Sequence, residues 1–389
     1  MAMIPALLLA LLLPVRSAPL EIPLRFVVNQ VRLEATIDGH GPFVLILDTG
    51  MPTPGVLLFE SERVSALGLA DTGRRIEVAG GGSEHQTTQA LMAEGLALAL
   101  GPLAIPKTGA IVMPKPEGFP PGVDGVIGGE LFFHYVVRID MDRKCLVLSE
   151  PEGWKPPEGA CSVPLVRQGG MVFVDLRVAV GAGEPASARV VVDTGAGHAL
   201  SLNHKQGGAF DPPANAIDMP LGRGIEGMLL GKAGRARRVE LGSFAFESVL
   251  VSFPGEAHQR PGGADFHDGN LGEGILKRFN ATFDFAGERM LLEKSKGFDE
   301  PFETEMAGLA FDWQPDSTLK VHSILPRSPG AAAEVREGDV LLAIDGQSTS
   351  SLGEEGVRQA LQVDGAEIRL TLRRGSEQLE KKIRLRRLL

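Results

Sequence analysis

The sequence predicts a mainly β protein: two similar β lobes related by an approximate two-fold axis, followed by a small α+β domain. Three observations carry this. Gly 49 and Pro 27 in 389 residues favour many turns and short strands over long helices. An apolar run closed by Asp-Thr-Gly occurs twice, once before Asp48-Thr49-Gly50 and once before Asp193-Thr194-Gly195. Further echoes recur at nearly the same offset, and about ninety residues remain after the repeat ends near residue 297, enough for one more small domain.

The totals narrow the function class. Hydrophobic residues at 43% and charged residues at 23% are ordinary for a globular chain. A net charge of −10, with pI near 5.4, argues against a nucleic-acid binder. No cofactor motif stands out, and no His-Glu-x-x-His or other metal-ligand cluster is present. The two cysteines, Cys145 and Cys161, leave two readings open. They form a disulfide, worth about 3 kcal/mol for so small a loop, or they are two buried free thiols.

Residues 1–18 read as a secretory signal, an Ala/Leu/Pro-rich run ending in the small residues Ser17-Ala18. No later segment is long and apolar enough for a spanning helix, so the mature chain is expected to be exported, to the periplasm or beyond the cell, with no stable membrane span. The first lobe is expected over 20–150. Ile22-Pro23-Leu24 opens a strand, Val31–Ile37 alternates apolar and polar, and Asp38-Gly39 signals a hairpin turn. The strand into Asp48 follows, then a short helix within Ser61–Leu69. Two extended runs flank Gly80-Gly81-Gly82, which suggests a flexible hairpin tip. The Pro-rich join Pro151–Gly159 marks the end of the lobe.

The second lobe, over 160–297, repeats the plan. Val163-Pro164-Leu165 echoes Ile22-Pro23-Leu24. Asp193 follows Asp48 by 145 positions, and Gly269-Asn270-Leu271-Gly272 follows Gly125–Gly128 by 144. Thr282-Phe283-Asp284 follows Arg138-Ile139-Asp140 by 144. A period held this closely is an internal duplication, too long and too few-fold for a solenoid. The stretch Gly222–Gly227 fits G-x-G-x-x-G, but no strand and helix frame it as a dinucleotide site requires. Its position matches Gly80–Gly82, so Gly222, Gly224 and Gly227 are read as a second hairpin tip over a shared cleft. The third unit, 303–389, has Gly308-Leu309-Ala310-Phe311, a strand at Leu319–Ile324, Ser328–Ala332, Gly338–Gly346, a helix near Gly353–Leu361 and strands at Ile368–Leu372 and Ile383–Leu385.

Two Asp-Thr-Gly motifs, each reached from an apolar strand and each followed about eighty residues later by a glycine-bounded strand, resemble the aspartic proteases. The likeness spans both lobes, and Asp193-Thr194-Gly195-Ala196 looks like the retropepsin-like branch fused in tandem. Pepsin-like relatives carry a Tyr on the first flap; the single Tyr here, Tyr135, stands elsewhere, so the flap chemistry must differ. The third unit resembles a PDZ domain of the bacterial protease type, with Gly308-Leu309-Ala310-Phe311 in the place of its carboxylate-binding loop.

The resemblance implies an exported aspartic endopeptidase. Asp48 and Asp193 would share one proton and activate a water against a peptide carbonyl, a dyad chemistry whose general example comes from this same family. Thr49 and Thr194 would bond across the lobes, and Gly50 and Gly195 would leave room beside the carboxylates. Expected partners are a peptide or unfolded protein at the dyad and a peptide C terminus at the PDZ loop. The alternative is an inactive tandem fold serving as a peptide-binding adaptor. Two departures favour it: Met51-Pro52 after the first motif, and Asn270 where an apolar residue is expected. His85 and His198 are expected near the cleft in structural roles.

Overall fold

The computed structural model describes residues 18–69, 71–78, 88–117, 119–120, 122–204, 207–224, 227–255 and 267–389. Residues 1–17 of the stretch read as a secretory signal, Gly80, Gly81 and Gly82 read as a first hairpin tip, and His85 lie outside the described residues.

Each lobe is built on an eight-stranded sheet, and the two sheets have the same strand order. In the first the order is Arg25–Val27, Gln30–Ile37, His40–Leu47, Gly125–Ile127, Val56–Phe59, Leu103–Met113, Thr88–Leu100 and Asp71–Val78. In the second it is Val166–Gln168, Met171–Ala179, Ala186–Val192, Gly269–Leu271, Leu200–Leu202, Phe244–Pro254, Gly227–Leu241 and Ile217–Gly224. Strand Gln30–Ile37 also pairs with Thr88–Leu100, and Met171–Ala179 with Gly227–Leu241, which curls each sheet towards closure. The duplication read in the sequence is thus a duplication of topology. Local chemistry sets the turns. Asp38 (φ 48°) and Gly39 (φ 78°) both take the left-handed region, as a hairpin turn of this type requires. The first helix is Glu62–Ser65, and its N-terminus is capped by Ser61, whose side chain accepts from the Val64 N–H.

A third sheet joins the lobes, in the order Leu20–Pro23, Cys145–Ser149, Val136–Asp140, Phe279–Asp284, Arg289–Lys294, Cys161–Pro164. The junction is the pair Val136–Asp140 and Phe279–Asp284, with Val137 opposite Phe283. This sheet corrects the bridge reading of the cysteines. Cys145 and Cys161 are both free, and four strand spacings separate their strands, about 19 Å. A disulfide tolerates less than about 7 Å between Cα atoms. Their nearness in sequence misleads because the join Pro151–Gly159 carries the chain from the strand next to one edge of the sheet to the strand at the opposite edge.

One hydrophobic core runs through both lobes, from Ile22 to Phe302. A separate core, from Met306 to Leu385, fills the last unit. That unit is a sheet in the order Leu309–Trp313, Leu319–Ile324, Val340–Ile344, Glu367–Arg374, Glu377–Arg384. Its helix Thr349–Ala360 starts at Ser348, whose hydroxyl accepts from Ser351 N–H, and is broken at Gly353 (φ 63°). The last strand begins at Glu377, earlier than the expected Ile383, because Lys381 and Lys382 mask its alternation in the sequence.

The last unit is seated on the lobes by named contacts. Glu354 of its helix accepts from the two terminal Arg32 guanidinium nitrogens at 2.7 and 2.6 Å, and Glu355 accepts from Val28 N–H at 2.9 Å. Arg32 is 6% exposed, so its guanidinium is largely withdrawn from water and needs this partner. On the other side, Arg223 of the second hairpin reaches Asp312 at 2.6 Å. Among the described residues no helix is long and apolar enough to cross a membrane.

Candidate active site

Strands His40–Leu47 and Ala186–Val192 end at the two Asp-Thr-Gly loops, which meet across the lobe interface. Asp48 N–H donates to Ile127 C=O at 2.9 Å and Asp193 N–H to Leu271 C=O at 3.0 Å, so both loops hang from equivalent rungs. The threonines between them form a reciprocal lock. Thr49 N–H donates to Thr194 Oγ1 and Thr194 N–H to Thr49 Oγ1, each at 3.0 Å. The hydroxyls pass their protons onward, Thr49 to Val192 C=O at 2.7 Å and Thr194 to Leu47 C=O at 2.9 Å. Both threonines are buried, at 4% and 0% exposure, so every one of these groups needs its partner.

The glycines hold the carboxylates close. A Cβ on Gly195 would stand 2.5 Å from the Asp48 carboxyl carbon, and one on Gly50 would stand 3.2 Å from that of Asp193. Each carboxyl group therefore lies against the opposite loop. Gly50 N–H donates to Asp48 Oδ1 at 2.6 Å and Gly195 N–H to Asp193 Oδ1 at 3.1 Å. Burial, and then the charge of Asp193, push the Asp48 carboxyl well above the usual carboxylate range. Two like charges at this separation favour a single shared proton, and the titration belongs to the pair.

The neighbours of the pair are not symmetric. Asn270 Nδ2 donates to Asp193 Oδ2 at 2.7 Å. It occupies the strand position opposite Val191, which in the first lobe is held by Val126 opposite Ile46. The departure noted in the sequence is thus a hydrogen-bond donor aimed at one carboxylate. The proton of the pair is accordingly placed on Asp48, whose carboxyl is pushed up by burial and by Asp193. Replacing Asn270 with the first-lobe residue, Asn270→Val, removes this donor and is expected to lower kcat for peptide hydrolysis about tenfold. An unchanged kcat would remove Asn270 from the chemistry.

Behind Asp193 stand two more titratable groups. Burial lowers the His198 pKa, and its Nε2 is buried without a hydrogen-bond partner among the described residues. The charge of Asp193 opposes this shift without cancelling it. Glu273 is 1% exposed, and burial pushes it up to about 8. Sequence reasoning missed it: a lone Glu after Gly272 carries no motif, and only the fold buries it. The linkage has a definite sign. Below about pH 4.5 the carboxyl is neutral folded and unfolded alike; between there and pH 8 only the unfolded chain ionises, so stability falls. The cost is about 1.4 kcal/mol for each tenfold change in proton affinity. Glu273→Gln is expected to leave the urea midpoint unchanged at pH 4 and raise it at pH 8.

Met51 is buried at 8% and helps form the apolar floor with Ile46, Leu57, Ile111 and Val126. Its C=O accepts from Gly129 N–H at 2.8 Å. The unusual Met51-Pro52 pair thus fits its loop. A cavity of about 1170 Å³ opens above the pair, with Asp48, Gly50, Asp193 and Gly195 in its wall. The second hairpin closes Gly224 opposite Gly227, and Gly222 and Gly224 border this cavity. Gly222 (φ 135°) and Gly227 (φ 116°) take backbone angles that disfavour other residues.

The loop at Gly308 differs from expectation. Gly308 N–H, read as a donor for a peptide carboxylate, donates instead to Glu305 Oε2 at 2.9 Å, beside Ala307 N–H at 3.0 Å. The chain's own carboxylate fills the position. Leu309, Ala310 and Phe311 continue into the edge strand Leu309–Trp313. Burial pushes Glu305 up to about 7 against these bonds.

A family model described as PDZ domain matches residues 320–374. No curated protein matches the chain. Among solved structures the chain is similar to "Crystal structure of aspartic proteinase from Irpex lacteus", at 15% identity and a TM-score of 0.50, over 73% of this chain and 100% of that one. At that identity the likeness speaks for the fold: the chain joins an aspartic-protease fold to a PDZ domain.

Proposed function

We propose that this protein is an aspartic-type endopeptidase. Its dyad is Asp48 and Asp193, and its substrates are extended peptide segments. The observation that carries the reading is the reciprocal Thr49–Thr194 lock, which fixes two carboxylates against each other's glycines at the floor of a large cleft. A merely structural pair of turn aspartates has no need of such a device. In the mechanism, the Asp193 carboxylate, held by Gly195 N–H and Asn270, takes a proton from a water. That water attacks the scissile carbonyl while Asp48 donates its proton to the carbonyl oxygen. The tetrahedral intermediate then collapses as Asp193 passes the water's proton to the leaving nitrogen and Asp48 recovers a proton from a hydroxyl of the gem-diol, which restores the pair, and no covalent enzyme intermediate forms. The hairpin tip at Gly222 and Gly224 supplies a cover over the cleft.

The test is direct. The purified full chain is incubated with reduced, alkylated casein across the acid-to-neutral range, and new peptide termini are identified by mass spectrometry. Cleavage at internal bonds that is blocked by a statine-type peptide supports the reading. Peptide binding with no new termini at any pH supports the adaptor reading instead.

A further inference from the structure

We propose that the groove between strand Leu309–Trp313 and helix Thr349–Ala360 holds an internal, extended stretch of the polypeptide being cut, and not a free C terminus. The inference rests on the proposed peptidase function and names how its substrate is held.

The groove has the features of a strand-binding site. Leu309–Trp313 lies at the sheet edge and pairs only with Leu319–Ile324 among the described residues. Its other edge is open for main-chain hydrogen bonds, the mode by which an extended peptide adds to a sheet. Phe311 and Trp313 on the strand and Val357 and Leu361 on the helix side give it an apolar floor.

Two of the four N–H groups of the loop expected to read a C terminus, those of Gly308 and Leu309, are already turned to Glu305. Glu305 Oε2 takes the N–H groups of Ala307 and Gly308, so an arriving terminal carboxylate would meet a carboxyl group and occupied donors. Glu305 is also held in place. The neighbouring Met306 N–H donates to Leu361 C=O at 2.8 Å, and Glu303 is paired with Arg387 at 2.7 Å. Displacing it means breaking an anchored segment, so the groove takes main chain without its terminus.

The groove also leads somewhere. The cavity above Asp48 and Asp193 also has Phe302, Thr304, Glu305, Phe311, Trp313 and Val357 in its wall. The second hairpin and the edge strand are tied together where Arg223 meets Asp312 at 2.6 Å. A segment lying in the groove therefore continues into the cleft, and the two sites bind successive parts of one chain. This gives preference to long, unfolded substrates over short peptides.

The test uses the full chain carrying Asp193→Asn, so that the ligand stays intact. The probe is fluorescein-labelled oxidised insulin B chain in two forms, with a free and with an amidated C terminus, followed by anisotropy. The expected result is equal affinity within about threefold. Trp313→Ala, or Phe311→Ala should the first variant fold poorly, is expected to weaken both forms about tenfold. Glu305→Ala frees the two N–H groups and is expected to create a preference of about tenfold for the free carboxylate. A tenfold preference for the free carboxylate with Glu305 in place overturns the inference, as does binding that neither groove variant changes. Cleavage of the same chain by protein with both aspartates reports the peptidase reading separately. Cleavage together with carboxylate dependence removes the inference alone. Indifferent binding without cleavage removes the peptidase reading alone.

Discussion

Asp48→Asn and Asp193→Asn are each expected to lower kcat for casein or peptide hydrolysis by about 10³-fold or more. An amide neither takes the proton of the attacking water nor shares one across the pair. The loss should come without unfolding. Burial and Asp193 hold Asp48 well above its ordinary pKa, so in neutral buffer folding must bind a proton that the unfolded chain lacks, and a neutral Asn in its place removes that cost. The thermal midpoint of Asp48→Asn is therefore expected to match or exceed that of the unmodified protein in neutral buffer. Activity that survives in either variant, with folding intact, would mean that the two carboxylates are not the reacting groups.

The second large effect is on the lock between the loops. Thr194→Val keeps the shape of the side chain and removes its oxygen. Thr49 N–H then loses its acceptor and Leu47 C=O its donor, both in a buried setting. Each orphaned group costs about 1–3 kcal/mol, so a loss of about 2–6 kcal/mol is expected from denaturant titration. Thr49→Val orphans the equivalent pair, Thr194 N–H and Val192 C=O, and is expected to cost about as much. Because the same bonds position the carboxylates, kcat should fall by up to about 100-fold even at temperatures where the variants remain folded. A stability loss with unchanged kcat would show that the lock holds the lobes together without shaping the dyad.

The duplication was readable because it is written in residues with strong local meaning. Asp-Thr-Gly closes a buried strand, and Asp38-Gly39 makes a two-residue turn. The Gly125 and Gly269 echoes mark strands that pair parallel to those leading into Asp48 and Asp193. Such signals survive without tertiary context, and they carried the topology of both lobes. What the sequence withheld depends on contacts between distant segments. Arg32 and Glu354 lie 322 positions apart, and nothing near either predicts the pair that seats the last unit on the first lobe. Glu305 gave no signal at all, since a Glu before a glycine loop is ordinary until the fold turns it back onto Gly308. Asn270 was visible as an oddity, but its meaning required knowing that its amide faces Asp193. The cysteines failed in the opposite way: proximity in sequence suggested a bridge, and the interleaving of both lobes in one sheet separates them.

The central claim is that Asp48 and Asp193 form one reacting unit that recognises the tetrahedral state of a peptide bond. Calorimetric titration of the full chain with a statine-type peptide, whose secondary hydroxyl stands in for the attacking water, measures this most directly. One tight site per chain is predicted in mildly acidic buffer, weakened at least about 100-fold by Asp48→Asn and by Asp193→Asn. Absence of binding, or binding that both substitutions leave unchanged, would contradict it.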